Sequence, residues 1–199
     1  MDRTLVLAST SSYRRELLNR LGTPFLVAAP EYQEEHDLPL PPDALVLTLA
    51  VRKAHSLRGR YANALILAAD QVAEIDGRVL NKPLNLERAF KQLQLLRGRT
   101  HRLLTGVVVL DTVSQRWEQA LDIQTLTMRA ASDQQLHEYL EHEQPFDCAG
   151  AYRIEGPGAS LFESLSNNDK SAIIGLPLAA VVELLGKFGY VLPAGGEYV

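Results

Sequence analysis

The stretch that most limits how this chain folds is residues 64–72, Ala-Leu-Ile-Leu-Ala-Ala-Asp-Gln-Val, an apolar run broken at Asp70. Its length suits a strand buried on both faces, and Asp76 with Gly77 is the hairpin turn signal that follows it. A strand of that kind needs cover on both faces of its sheet, and the rest of the chain supplies helices for the purpose. Residues 4–8 and 25–28 read as short strands. Between them a polar cluster at 9–12 opens a helix carried by Leu17, Leu18 and Leu21 and stopped by Gly22. Val46, Leu49, Ala50, Ala54 and Leu57 share one face of a second helix, which ends near Gly59. Leu86, Ala89, Phe90, Leu93 and Leu96 mark a third, closed by Gly98. Residues 103–112 and 118–128 read as two further strands. Ser132 with Gln135 matches a capping box ahead of Leu136, Tyr139 and Leu140, and Pro177 opens a final helix through Leu178, Val181, Leu184 and Leu185. Strands and helices alternate, so the expected class is α/β with a central mixed sheet.

With 46% hydrophobic and 22% charged residues, the chain has ordinary globular usage. One folding unit over residues 1–193 is expected, with 194–199 as a tail. No apolar run approaches the roughly 20 residues of a membrane helix. The run at residues 5–8 is too short for a signal-peptide core, so a cytoplasmic protein is expected. Cys148, the single cysteine, has no partner for an internal disulfide and reads as a small buried hydrophobe. A net charge of −4 offers no global basic field, which argues against polymeric nucleic acid as a partner.

Four groups of residues are candidates for chemistry. Ser9-Thr-Ser-Ser-Tyr-Arg-Arg15 lies between a strand and a helix, where hydroxyls, free backbone N–H groups and the positive end of the helix dipole hold anions. Arg14 and Arg15 add guanidinium groups suited to phosphate. The same segment also describes a serine-capped helix with two solvated arginines. Asp70 ends the apolar residues before it and is expected to emerge at the carboxyl end of the buried strand. A lone buried charge is costly there, and a metal or a catalytic water would relieve that cost; turn amides ahead of Asp76 are the plainer alternative. Lys53 and Lys82 offer point charges to phosphates, although each alone reads as a surface lysine. Glu34 and Glu35 lie in an acidic loop and offer magnesium a carboxylate, although taken alone they read as a solvated charge run. His36, His55, His101, His137 and His142 show no metal-ligand spacing and read as structural or surface residues.

Singly these signals are weak, but their order along the chain is specific. Leu7-Ala-Ser-Thr-Ser-Ser-Tyr-Arg-Arg-Glu-Leu-Leu18, Lys53-Ala54, Ala69-Asp-Gln-Val72, Lys82-Pro83, Thr105-Gly106, Cys148-Ala-Gly-Ala-Tyr152, Glu155-Gly156 and Gly175-Leu-Pro-Leu178 together resemble the Maf family of nucleoside triphosphate pyrophosphatases, over roughly residues 4–190. The resemblance implies an elongated α/β fold with a curved mixed β-sheet flanked by helices, and two lobes around a central cleft. It implies metal-assisted cleavage between the α- and β-phosphates of a nucleoside triphosphate. Asp70 then matches the residue that takes the proton of the attacking water. Ser9, Arg14, Arg15, Lys53 and Lys82 match phosphate-facing positions. Glu34 and Asp70 match the acids that hold a divalent cation, Mg2+ or Mn2+. A homodimer is also implied.

Branches of the family differ near the base. The branch acting on dTTP and UTP has threonine after the catalytic aspartate and glutamine before the later glycine; here Gln71 and Glu155 stand at those positions. Together with Leu161-Phe-Glu-Ser-Leu165, they look like the branch acting on 7-methyl-GTP. A 7-methylguanine base is cationic, and a carboxylate at Glu155 offsets that charge where a neutral amide does not. The chain departs from the pattern at Gln33-Glu34, where the family usually has Asp-Glu, and at Asn167, where glycine is common. Two rival readings stand beside this one: a dTTP/UTP pyrophosphatase, and a non-catalytic nucleotide sensor tied to growth or division.

Overall fold

The computed structural model describes residues 3–32, 38–165 and 169–193. Strand β1 (Thr4–Ala8) is followed by α1 (Ser12–Asn19) and β2 (Phe25–Ala28), then by α2 (Pro42–Ser56), β3 (Ala64–Ile75) and β4 (Arg78–Leu80). Next come α3 (Leu86–Leu96), β5 (Thr100–Asp111), β6 (Trp117–Met128) and α4 (Asp133–Glu143). Two short 3-10 turns lead to β7 (Phe162–Leu165), α5 (Lys170–Ile174) and α6 (Leu178–Lys187). The strands form one seven-stranded sheet in the order β2-β1-β3-β5-β6-β7, with β4 paired to β3. The sheet is mixed: β1 runs parallel to both β2 and β3, whereas β3–β4 and β6–β7 are antiparallel. The α/β class is therefore as the alternation of elements implied. No described helix is long and apolar enough to cross a membrane.

The chain divides into two compact units. The first comprises residues 1–70, 105–122 and 169–199, the second 71–104 and 123–168. Strands β3, β5 and β6 each supply residues to both.

In the first unit, strand alternation sorts the core into two layers. Leu5, Leu7, Leu65, Leu67, Val107 and Val109 face one way, onto Leu17 and Leu18 of α1 and Leu178, Val181 and Leu185 of α6. Val6, Ala8, Ala64, Ile66, Ala68, Val108 and Leu110 face the other way, onto Ala50, Ala54 and Leu57. The second layer is rich in alanine, so α2 rides close to the sheet. The tightest point is Gly106 on β5, where an added Cβ would stand 2.6 Å from the Val46 carbonyl oxygen. Glycine is required here for space.

The second unit bears out the local signals for capping and turning. Ser132 and Gln135 form the expected reciprocal capping box at the start of α4, and α3 lies against α4. Asp76 and Gly77 both adopt positive φ, 53° and 78°, in the β3–β4 hairpin, as its tight turn demands. Glu74 is buried and accepts hydrogen bonds from the Gly77 backbone N–H and from Arg102 Nε, the latter at 2.6 Å. Cys148 is half-buried, and burial pushes its thiol up to about 12.

One expectation is corrected. β3 does not end at Asp70 but continues to Ile75, because Val72, Ala73 and Ile75 are buried in their turn and Ala73, Glu74 and Ile75 pair with β4. Asp70 is a mid-strand residue.

Gly106→Ala is expected to lower unfolding stability by about 2 kcal/mol through overpacking against α2. Gly59→Ala, where an added Cβ meets nothing within 4 Å, is expected to stay within about 0.5 kcal/mol of the parent. Urea denaturation of the two variants provides the comparison.

Candidate active site

The candidate site of the first unit is built where β1 stops and β3 goes on. β1 and β3 are in register from Thr4↔Ala64 to Leu7↔Leu67. Beyond that β3 has no β1 residue beside it until β4 pairs at Ala73, and carbonyls on that edge need other partners. Arg14 supplies one, donating from Nη1 to the Ala69 carbonyl at 2.7 Å. Its Nε donates to the Gly175 carbonyl at 3.0 Å. Two backbone acceptors 106 positions apart in sequence therefore fix the plane of this guanidinium. Gly175 has φ of 124°, a conformation that favours glycine, so the Gly175-Leu-Pro-Leu178 block presents a carbonyl that most side chains would not allow in that place.

The turn ahead of α1 is held by its own hydroxyls. Ser9 is buried; its Oγ accepts the Ser11 N–H at 3.1 Å, while its own N–H donates to the Ala28 carbonyl. Ser11 caps α1 by accepting the Arg14 N–H at 3.3 Å. The helix thus starts with an ordered serine turn and a fixed arginine, and Arg15 follows as an exposed residue.

Asp70 lies on the α2 side of β3, by alternation with Ala64, Ile66 and Ala68. It is 3% exposed. Lys53, buried on the core-facing stripe of α2 with Leu49, Ala50 and Ala54, donates from Nζ to Asp70 Oδ1 at 2.5 Å. Asp70 Oδ2 is buried with no hydrogen-bond partner. A carboxylate oxygen in that condition is costly, and a hydrogen-bonding water or a cation relieves that cost. The turn amides considered for Asp70 are not what satisfies it.

Among the described residues, no three His, Cys, Asp or Glu side chains gather as a metal cage. A magnesium ion does not require one, because it is held by one or two carboxylates together with substrate oxygens and water. The partnerless Oδ2 of Asp70 fits that demand. Glu34, the second acid of the expected pair, lies outside the described residues, as do Glu35, Asn167 and the tail 194–199.

The remaining expected residues belong to the second unit. Gln71, half-buried, follows Asp70 on β3 and by alternation points to the opposite face. Lys82 is exposed beside buried Pro83, and Glu155 is exposed in the turn after Tyr152. His101, read from sequence as structural or superficial, is buried and shares a 2.8 Å hydrogen bond with the Tyr152 hydroxyl. Burial lowers its pKa to about 4, so the ring is neutral at physiological pH. In the first unit the structure joins Lys53 to Asp70 and ties Arg14 to the Ala69 carbonyl of the same strand, with Ser9 in the turn ahead of α1. Sequence reasoning missed what fixes Arg14, the carbonyls of Ala69 and Gly175, since backbone acceptors leave no trace in residue type beyond the glycine itself.

The chain is similar to known proteins along nearly its whole length. A family model described as Maf-like protein matches residues 4–188. A 7-methyl-GTP pyrophosphatase of Syntrophotalea carbinolica is 44% identical over 186 residues, covering 93% of this chain and 94% of the relative. Proteins of the same name from Pseudomonas aeruginosa and Xanthomonas campestris pv. campestris are 41% and 43% identical, each covering 95% of this chain and 98% of its own. Among solved structures, the Staphylococcus aureus Ham1 protein is a distant likeness, 11% identical with a TM-score of 0.49 over 65% of this chain and 73% of that one. A family model that spans almost every described element, with relatives above 40% identity along nearly their whole length, establishes that the chain belongs to the Maf family.

Proposed function

We propose that this protein hydrolyses 7-methyl-GTP to 7-methyl-GMP and pyrophosphate. The observation that carries the chemistry is the buried Asp70 carboxylate, anchored through one oxygen by Lys53 and without a hydrogen-bond partner at the other. A phosphoanhydride is already activated; what it needs is a water held in line and neutralisation of its oxygens. Asp70 Oδ2 is the acceptor for that water. As the water oxygen bonds to the α-phosphorus, its proton passes to Oδ2, the bond from the α-phosphorus to the bridging oxygen breaks, and pyrophosphate leaves. Lys53 orients the carboxylate and balances its charge, a pairing without which a buried acid is strongly destabilising. Arg14, fixed by two carbonyls, offers a preset guanidinium face to phosphate, and the serine turn at Ser9 and Ser11 with Arg15 adds donors at the start of α1.

A divalent cation, magnesium or manganese, is part of the same reading, with Asp70 and Glu34 as its protein ligands. When bound, it supplies charge neutralisation at the phosphate oxygens. Lys82 and Gln71 are assigned to substrate by the family resemblance. Glu155 is assigned to the cationic base, since a carboxylate attracts 7-methylguanine where an amide does not. The relatives named 7-methyl-GTP pyrophosphatase support this choice over dTTP and UTP. A non-catalytic sensor has no use for a buried acid with an oxygen left without a partner. A cytoplasmic homodimer belongs to the proposal through family likeness.

Asp70→Asn keeps the size and the contact to Lys53 while removing the proton acceptor. Turnover is expected to fall at least about a thousandfold with an unaltered circular dichroism spectrum, and near-parental turnover overturns the assignment. Omitting the divalent cation, with chelator present, is expected to reduce pyrophosphate release to background; full activity under chelation removes the metal from the scheme. In a panel of 7-methyl-GTP, GTP, UTP and dTTP, the first is expected to show the highest kcat/KM. Glu155→Gln is expected to lower the 7-methyl-GTP to GTP ratio about fivefold, the size of one solvent-screened charge contact. An unchanged ratio refutes the charge argument.

A further inference from the structure

The turn that carries Glu155 is closed at its base. An added Cβ on Gly158 would lie 2.0 Å from the Arg153 carbonyl oxygen and 2.9 Å from the Tyr139 hydroxyl, so the chain returns upon itself with no room for a side chain. The Tyr139 hydroxyl accepts the Arg153 backbone N–H at 2.9 Å, which puts one phenol oxygen at the crossing of the two strands of the turn. Tyr139 comes from α4 and is 8% exposed; burial raises its pKa well above the usual phenol range, so the hydroxyl stays neutral. Ile154 points into the core at 9% exposed, whereas Glu155, Gly156 and Pro157 face solvent. Just before the neck, Tyr152 is pinned by its hydrogen bond to His101 and by edge contact with the Phe162 ring at 4.8 Å. Neither tyrosine is a residue that touches phosphate chemistry, yet both hydroxyls hold the segment on which Glu155 stands.

We infer that Tyr139 is a positioning residue for base selection: its hydroxyl locks the neck between Arg153 and Gly158 and thereby fixes the Glu155 carboxylate against a cationic purine. The inference rests on the assignment of Glu155 to the base. An exposed carboxylate on a loose loop spends conformational freedom each time it meets a ligand; one on a closed turn has that freedom removed in advance. The selectivity for a charged base is therefore expected to depend on an atom in α4 that never meets the nucleotide.

The test is steady-state kinetics on 7-methyl-GTP and GTP with the full-length chain as parent, Tyr139→Phe, Glu155→Gln and the double variant. Tyr139→Phe keeps the ring and removes the pin. The 7-methyl-GTP to GTP ratio of kcat/KM is expected to fall about threefold or more, through KM for 7-methyl-GTP and not through kcat, and to fall no further in the Glu155→Gln background. Tyr152→Phe, which removes the second pin, is the companion variant and is expected to shift the ratio in the same direction, so the test survives if one variant fails to fold. A merely structural role moves both substrates in equal proportion, and that result overturns the inference. So does a loss of the same size with and without Glu155. If Glu155→Gln lowers the ratio while both tyrosine variants leave it at the parental value, the positioning role is lost and the assignment of Glu155 stands; if Glu155→Gln leaves it unchanged, both are lost.

Discussion

A lysine and an aspartate meeting inside a hydrocarbon layer is the contact on which the first unit depends. Lys53 and Asp70 are both almost wholly buried, 2.5 Å apart, between alanines of α2 and the apolar face of β3. Burying two charges is expensive, and a well-packed apolar pair is often as stable or more so. The fold nevertheless arranges for them to touch. Alanines at 50, 54, 64 and 68 thin the layer, and Gly106 lets the α2 backbone settle against β5. A side chain at position 106 would lift the helix two turns before Lys53 and leave Asp70 with a partner out of reach. The small residues of this layer therefore set the distance at which the lysine becomes the partner of the aspartate.

Much of the framework was legible in the chain because it rests on local rules. The capping box at Ser132, the turn at Asp76–Gly77 and the amphipathic repeat from Leu86 to Leu96 are decided within a few residues, and structure and sequence agree there. Asp70 was legible as an anomaly, a charge in an apolar run, but its place within the strand was not. On polarity alone the run stops at the aspartate, whereas β3 continues because β4 folds back to pair with it. Lys53 shows the converse: it stands on the same helical stripe as Leu49 and Ala50, a position where a lysine needs a buried anion, and that clue is readable only once the partner strand is known. The ties from Arg14 to Ala69 and Gly175 were beyond reach, since backbone carbonyls have no signature in side-chain type.

Under the proposed function, the two units divide the work by kind of constraint. The first holds its groups with charge and with backbone acceptors, giving positions suited to a reaction whose transition state is mainly a rearrangement of negative charge. The second holds Glu155 with neutral hydroxyls, a neutral histidine and an absent side chain at Gly158. That difference has a physical logic. Cations placed near Glu155 would compete with a cationic base for the same carboxylate, whereas a tyrosine hydroxyl fixes the backbone and leaves the acid's charge uncompensated by any pin.

Magnitudes set how far such a carboxylate reaches in telling one base from another. Two unit charges 4 Å apart are worth about 1 kcal/mol in bulk water and about 4 kcal/mol at the effective dielectric of a protein surface. Glu155 is exposed, which puts it near the lower figure, a discrimination of roughly fivefold. Moving toward the higher figure requires that the base displace water from the acid, and a carboxylate that swings away with its loop keeps its hydration shell. A neck fixed by Tyr139 prevents that retreat, so the gain from holding the loop and the gain from excluding water are coupled: stiffening the turn raises the worth of the charge it carries.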